Sequence, residues 1–557
     1  MPSLSALHAP KSIAIKGIIF FMKRVTTLLM LTAFLLSSCG TSAPSLWGQY
    51  MTPTPAGEIP AIATSSAGTP PAQSVAINES ANEQIVLPTP TATSSPPDFF
   101  VTQFAPTPTM SPPPVATESI LYYAQNGDWL PAVARRFNVE TAEITSPKLL
   151  PASGLLAAGT LLIIPDRADI LTPSTSATQL IPDSEVVFSA SAINFDIAGY
   201  VKDAGGYLSA YREYLNSTAW TNGAAEIERI SYENSINPRL LLAILDYEAN
   251  WVRGEPENEF RKNYPLGYEN YHNKGLYQQL AWAINQLSTG YYGWRTGTIS
   301  SVTFNDRTTY QLAPSLNAGT VAIMIYFAQL HSQNEWLRIM DPNSGFASFY
   351  ANMFGSPWIR AESFGPIFPP TLIQPEMILP FDIGANWAFT GGPHGAWESY
   401  GPLAAIDFAP AADKSGCTKS NNRVLAIAPG LVIRSEKGIV VIDLDGDGQE
   451  QTGWNILYLH VAERGRVAQG KWVDQNEPIG YPSCEGGVAT GTHVHIARKY
   501  NGEWITVDGP TPWVMSGWTV VAGDRPYQGK LVQDERAITA DVNGQAKSRI
   551  VRTDSDD

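Results

Sequence analysis

"GTHVHIARKY", residues 491–500, places His493 and His495 one residue apart at the head of a stretch that reads as a strand. In an extended chain residues i and i+2 point to the same face, so the two imidazoles project side by side. Such a pair can hold a metal, or one ring can hold it while its neighbour moves protons. The surroundings decide. Of seven histidines in the chain, His394, His460, His493 and His495 all fall after residue 376. "TGGPHGAWESYGPLAAIDFAP" sets His394 in a Gly-rich loop and Asp407 in an apolar strand between Ile406 and Phe408. A carboxylate buried there needs a partner, and a cation is the simplest one. "NILYLH" carries His460 on a strand, with Ile456 and Tyr458 on the same face.

This set resembles the lysostaphin-like zinc endopeptidases, and its long His-to-Asp spacing is similar to their beta-lytic branch. The commoner branch has His-x-x-x-Asp, but here Leu403 stands four residues before Asp407, so the resemblance passes that ligand role to His394. It implies an antiparallel, β-rich zinc peptidase domain over residues 376–527 that hydrolyses amide bonds of peptidoglycan peptides. It further implies one Zn²⁺ held by His394, Asp407 and His495, with His460 and His493 catalytic. Three protein ligands leave a fourth position for a water whose pKa falls to about 7. His493 would take that water's proton, or stabilise the tetrahedral oxyanion together with His460.

A second acidic motif lies in the same region. "VIDLDGDGQEQTGW" begins like a calcium loop, but an EF-hand needs flanking helices and a glutamate at position 12, where Trp454 stands. A hairpin turn is the expectation, without calcium.

Composition limits the remaining choices. The 557 residues leave room for several domains, and 10% aromatic residues with 15 Trp supply real cores. A net charge of -15 argues against nucleic acid or an anionic membrane surface as the main partner. Lys23, Arg24 and an apolar run from Val25 to Leu36 have the layout of an export signal, whose start is Met1 or Met22. "LTAFLLSSCG" resembles the bacterial lipobox, which implies a lipoprotein signal peptide over residues 1–39 whose Cys39 is acylated and becomes the first mature residue, and a lipid anchor in the cell membrane. Export makes Cys417 and Cys484 candidates for a disulfide. Residues 40–117, rich in Pro, Thr and Ser, bury too little apolar surface to fold and read as a tether.

Two further units precede the β-rich one. Residues 118–167 run strand, helix, helix, strand, with a turn at Asn126-Gly127, Asp128 as helix cap, and "LLIIP" closing. They resemble the LysM module, which implies binding of N-acetylglucosamine-containing glycans such as peptidoglycan, with Gly127, Asp128 and Trp129 as contacts. A linker, 168–185, leads to an α-helical unit over 186–375, with two helices broken at Asn237-Pro238. Glu248 ends the second of these helices, where desolvation favours the protonated form that a general acid needs. The stretch resembles goose-type lysozymes and lytic transglycosylases, supported by "KGLYQQL" and "SLNAGTVAIMIYF", though Ala249 stands where the family commonly has serine. That resemblance implies glycan cleavage through Glu248. Residues 528–557 are polar and read as a disordered or loosely docked tail.

The sequence therefore describes a multidomain α+β protein: a small βααβ LysM, an α-helical lysozyme-like domain and a C-terminal antiparallel β-rich zinc peptidase domain. The function expected is an extracytoplasmic, lipid-anchored peptidoglycan hydrolase. Two other readings stand beside it: a non-catalytic wall-binding scaffold, and a bifunctional enzyme that also cuts glycan strands through Glu248.

Overall fold

The computed structural model describes residues 118–167, 173–397, 401–412 and 415–554, which lie in one compact unit. The export signal, Cys39 and the tether fall outside the described residues. Among the described residues no helix is long and apolar enough to cross a membrane.

The first module pairs β1 (Ser119–Tyr123) antiparallel with β2 (Leu161–Pro165), and packs α1 (Leu130–Arg136) against them. Val133, Ala134, Leu162 and Ile164 close its small core. The second helix expected from the sequence is absent: Thr141–Glu143 forms a single 3₁₀ turn, and the chain then crosses back without a helix. Pro147, Pro151 and Gly154 explain this, since proline removes a helical donor and glycine adds backbone entropy.

The helical unit is built on α2 (Gly223–Asn234), α3 (Pro238–Ala249), α4 (Leu276–Thr296) and α5 (Ala318–Ala328). Asn237 caps α3, accepting from the Arg239 N–H, while Pro238 sits at the first position, where a missing donor costs nothing. Every residue of α5 is buried, so it is the central post of the unit. The segment expected to be a linker is packed as well. Leu180 and Ile181 are buried, and the Asn317 side chain donates to the Ile181 carbonyl at 2.7 Å.

The C-terminal unit is a nine-stranded antiparallel sheet. Its strands are β3 (Asn386–Gly395), β4 (Leu403–Pro410), β5 (Gly430–Glu436), β6 (Ile439–Asp443), β7 (Trp454–Leu459), β8 (Trp472–Val473), β9 (Val494–Tyr500), β10 (Glu503–Trp504) and β14 (Arg549–Val551). The order across the sheet is β8-β5-β6-β7-β9-β4-β3-β14, with β10 on β9. A smaller sheet contains β11 (Trp518–Ala522), β12 (Gly529–Gln533) and β13 (Arg536–Thr539). The expectation of a loose tail from 528 is therefore overturned: β12, β13 and β14 lie in it. Ile550 and Arg552 are buried, and Arg552 donates to the Phe381 carbonyl and the Asn476 side chain.

Both faces of the large sheet are covered, which accounts for strands that are apolar throughout rather than alternating. Ile406, Ile442, Ile456, Tyr458 and Ile496 face the core of the β unit. Ala405, Val441, Leu457, Leu459 and Ala497, one residue out of step, join the core of the helical unit. The helical unit thus sits on one sheet face. Trp504 fixes the seam, its backbone N–H donating to the Tyr292 hydroxyl and its indole N–H to the Asn234 carbonyl.

One arginine ties all three units. Arg295 on α4 pairs with Glu503 of β10 and Asp183, and donates to the Asn126 carbonyl of the first module at 2.6 Å.

Candidate metal centre

Strand pairing delivers the site. In the β9–β4 ladder His495 lies directly opposite Asp407, and in the β7–β9 ladder Leu459 lies opposite His495, so His460 emerges just beyond the sheet. Asp407 and His495 share the face of Ala405 and Ala497, by the two-residue period of a strand. On β3 the register shifts twice between Phe389 and His394, and these irregularities swing His394 over Asp407. Gly391 is what permits the approach: a Cβ there would lie 2.2 Å from Asp407 Oδ2.

The donor atoms converge. His394 Nε2 lies 3.0 Å from His495 Nδ1, and Asp407 Oδ1 lies 3.3 and 3.2 Å from those two nitrogens. Four ligands at zinc bond lengths of roughly 2.0–2.1 Å stand about 3.3 Å apart at the corners of a tetrahedron, so the three atoms already occupy three corners. The proton positions agree. A carbonyl only accepts, so the ring nitrogen facing one carries the hydrogen. His394 Nδ1–H donates to the Gly392 carbonyl at 2.8 Å and His495 Nε2–H to the Ala396 carbonyl at 3.0 Å. In the neutral rings each lone pair then faces inward beside the Asp407 carboxylate, an arrangement that a metal ion would bridge. The chemistry of the donor set fits zinc.

Charges around the centre shift accordingly. Burial alone would raise the Asp407 carboxyl, but His394 and then His495 hold it well below the usual carboxylate range. Burial would lower His394; Asp407 outweighs that and raises it. His460 is pushed down to about 4 by burial first, then by His493 and His495.

His460 and His493 form the second half of the site, with ring centres 4.4 Å apart. Each is locked by a carbonyl: His460 Nδ1–H donates to Glu485 at 2.7 Å and His493 Nδ1–H to Gly491 at 2.8 Å. Their Nε2 atoms are left as acceptors, and that of His493 lies 3.9 Å from Asp407 Oδ1. The disulfide between Cys417 and Cys484, expected from cysteine counting, is present, with Cα atoms 5.8 Å apart. It braces both histidines. Glu485, next to Cys484, holds His460, while Thr418, next to Cys417, donates its N–H to Thr492, the neighbour of His493.

Sequence reasoning missed Tyr527, whose ring stacks on His394 at 4.1 Å. Its carbonyl accepts from the Gly392 N–H and its own N–H donates to the Pro393 carbonyl, so the turn before β12 clamps the Gly-rich loop. The available signal was Gly391-Gly392, two positions open to close backbone approach.

The other candidate residues lie elsewhere. Gly127 and Asp128 are buried and Trp129 is half-buried, all in the seam against α4. Asp128 accepts from Tyr122 and pairs with Arg136, the Trp129 indole donates to the Arg295 carbonyl, and a Cβ on Gly127 would strike Arg295. These contacts engage the loop with its own module and with α4. Glu248 is buried at the end of α3, its carboxylate 2.8 Å from His331 Nε2 and 3.7 Å from Arg261. The structure gives it ion-pair partners within the helical unit.

Similarity to known proteins follows the same division. Residues 179–367 match the family described as LasA, N-terminal domain. Protease LasA of Pseudomonas aeruginosa is 23% identical over 354 residues, 60% of this chain and 79% of the relative. Beta-lytic metalloendopeptidase of Achromobacter lyticus is 26% identical over 164 residues, 28% of this chain and 41% of the relative. Among solved structures, the M23 metalloprotease pseudoalterin aligns over 30% of this chain and 96% of its own, at 20% identity and a TM-score of 0.25. The catalytic domain of lysostaphin from Staphylococcus simulans aligns over 22% of this chain and 89% of its own, at 19% identity and a TM-score of 0.16.

Proposed function

We propose that the chain is a zinc-dependent endopeptidase that cleaves amide bonds in the peptides of peptidoglycan, working outside the cytoplasm. The observation that carries this reading is the convergence of His394 Nε2, Asp407 Oδ1 and His495 Nδ1 beside the two acceptor nitrogens of His460 and His493. The LasA and beta-lytic relatives, one named a protease and the other a metalloendopeptidase, support the class of reaction.

His394, Asp407 and His495 would hold the zinc, which when bound supplies a Lewis acid and an acidic water. The remaining chemistry belongs to the side chains. His493 Nε2 accepts the proton of the attacking water as its oxygen adds to the amide carbonyl, and returns it to the leaving amine nitrogen as the C–N bond breaks. His460, kept neutral by burial, presents a second acceptor at Nε2 to the same space. The carbonyls of Glu485 and Gly491 keep both rings in the required tautomer. The disulfide supports an oxidising, extracytoplasmic setting, to which acylation at Cys39 would tether the chain. The module at 118–167 and the helical unit would serve as the body that presents the site to the wall, with Glu248 in a structural role.

The test separates ligand from catalyst. His495→Ala should lose stoichiometric zinc and all release of peptides from peptidoglycan, whereas His493→Ala should retain zinc and lose activity by roughly two orders of magnitude or more. Full zinc occupancy in His495→Ala, measured by metal analysis, contradicts the ligand set.

A further inference from the structure

The acidic motif in the β6–β7 connection has no part in the reaction above. β6 ends at Asp443 and β7 starts at Trp454, so residues 444–453 form a long loop rather than a two-residue hairpin turn. Within it Asp443, Asp445 and Asp447 bring one oxygen each to within 4.8 Å of one another. Asp443 is fully buried; the other two are exposed. Their partners are neutral: Asp443 accepts from the N–H groups of Asp445 and Gly448, and Asp447 from the Gln449 N–H and the Thr452 hydroxyl. None of these balances three carboxylates at one point.

A second, separate observation comes from β7. Asn455 stands directly opposite Asp443 in the β6–β7 ladder and is fully buried. Its side chain reaches into the loop, where Nδ2–H donates to the Thr452 carbonyl at 2.8 Å. That bond fixes the orientation of the amide and leaves Oδ1 buried with no partner. A buried oxygen without a donor is costly, and a cation or its hydration water satisfies it.

We propose that residues 443–455 form a calcium site distinct from the zinc centre, with Asp443, Asp445 and Asp447 as ligands and Asn455 Oδ1 supplying a further oxygen. All the donors named are oxygens, which selects a hard cation, and an irregular loop carrying three carboxylates suits the variable coordination of calcium better than the strict octahedron of magnesium. Carboxylates at loop positions 1, 3 and 5 and Gly448 at position 6, with φ +85°, follow the calcium-loop pattern. Flanking helices are not part of the coordination chemistry; here two strands hold the loop ends. Because β7 runs straight into His460, a bound ion would also stiffen the approach to the catalytic histidines.

The test uses the full zinc-loaded chain, dialysed into calcium-free buffer. Isothermal titration with calcium chloride should show one site, and calcium should raise the melting temperature. Asp445→Asn with Asp447→Asn, both exposed positions, should weaken binding by about a hundredfold or more and abolish the thermal shift, leaving zinc content unchanged and the calcium-free melting temperature no lower than that of the wild type. Asp445→Asn alone should give a partial loss. Absence of calcium binding in the wild type, an undiminished response in the double variant, or an equal response to magnesium overturns the proposal.

Discussion

Glu226 on α2 is a carboxyl with no water around it: it is fully buried, and burial first, then the neighbouring Glu213, push it up to about 10. Below its ordinary value of 4.5 both folded and unfolded states hold the proton, and nothing is lost. As pH rises from there towards 10 the unfolded chain releases the proton while the native one keeps it, so stability falls across that window. Glu226→Gln, which cannot ionise, should therefore match the wild type at acid pH and exceed it by roughly 1–3 kcal/mol at neutral pH. Denaturant melts at pH 4 and pH 7 check this; a variant less stable than the wild type at pH 7 would refute it. At this scale the cluster of His394, Asp407 and His495 was legible and Glu226 was not. Histidines and an aspartate inside apolar strands are rare enough to stand out, whereas a buried glutamate on a helix is written in the same pattern as a solvated one. Glu248 shows the converse: its position at a helix end was readable, but the His331 that engages it lies 83 residues further along the chain, and Arg261 reaches it from beyond the following loop.

Strands and loops carry the next level. The bridge between Cys417 and Cys484, 67 residues apart, joins the two loops that hold His460 and His493 in place. Its reduction, or Cys417→Ser with Cys484→Ser, should lower stability by up to about 4 kcal/mol in the chain-entropy model and also lower peptide-releasing activity. A reduced protein with unaltered melting temperature and rate would show that the loops are positioned without it. The β-rich elements bearing histidines were readable because a two-residue period and unusual chemistry coincide in them. The last strands were not. β12 and β13 bury few of their side chains, and β14 offers only Ile550 between two exposed residues, too short a run for any period to show. The missing helix of the first module was readable in principle from its prolines, and the resemblance overrode them.

At the scale of the molecule, docking of the units is what the sequence conceals. Arg295 and Glu503 look like solvent-facing charges in their own segments, yet they meet in a buried seam with Asp183 and the Asn126 carbonyl. Arg295→Met should leave Glu503 buried without its partner and cost about 3–5 kcal/mol. Because the residue touches all three units, the variant should unfold in more clearly separated steps than the wild type by calorimetry, and limited proteolysis should release the first module sooner. A single, unshifted transition would place the coupling elsewhere. The pairing of β14 with β3, the strand that carries His394, has a consequence in time. A ribosome makes residues 549–551 after every other part of the site. Until they are made, the strand bearing His394 has an open edge. The cluster of His394, Asp407 and His495 thus gains its flanking support later than any of its own residues.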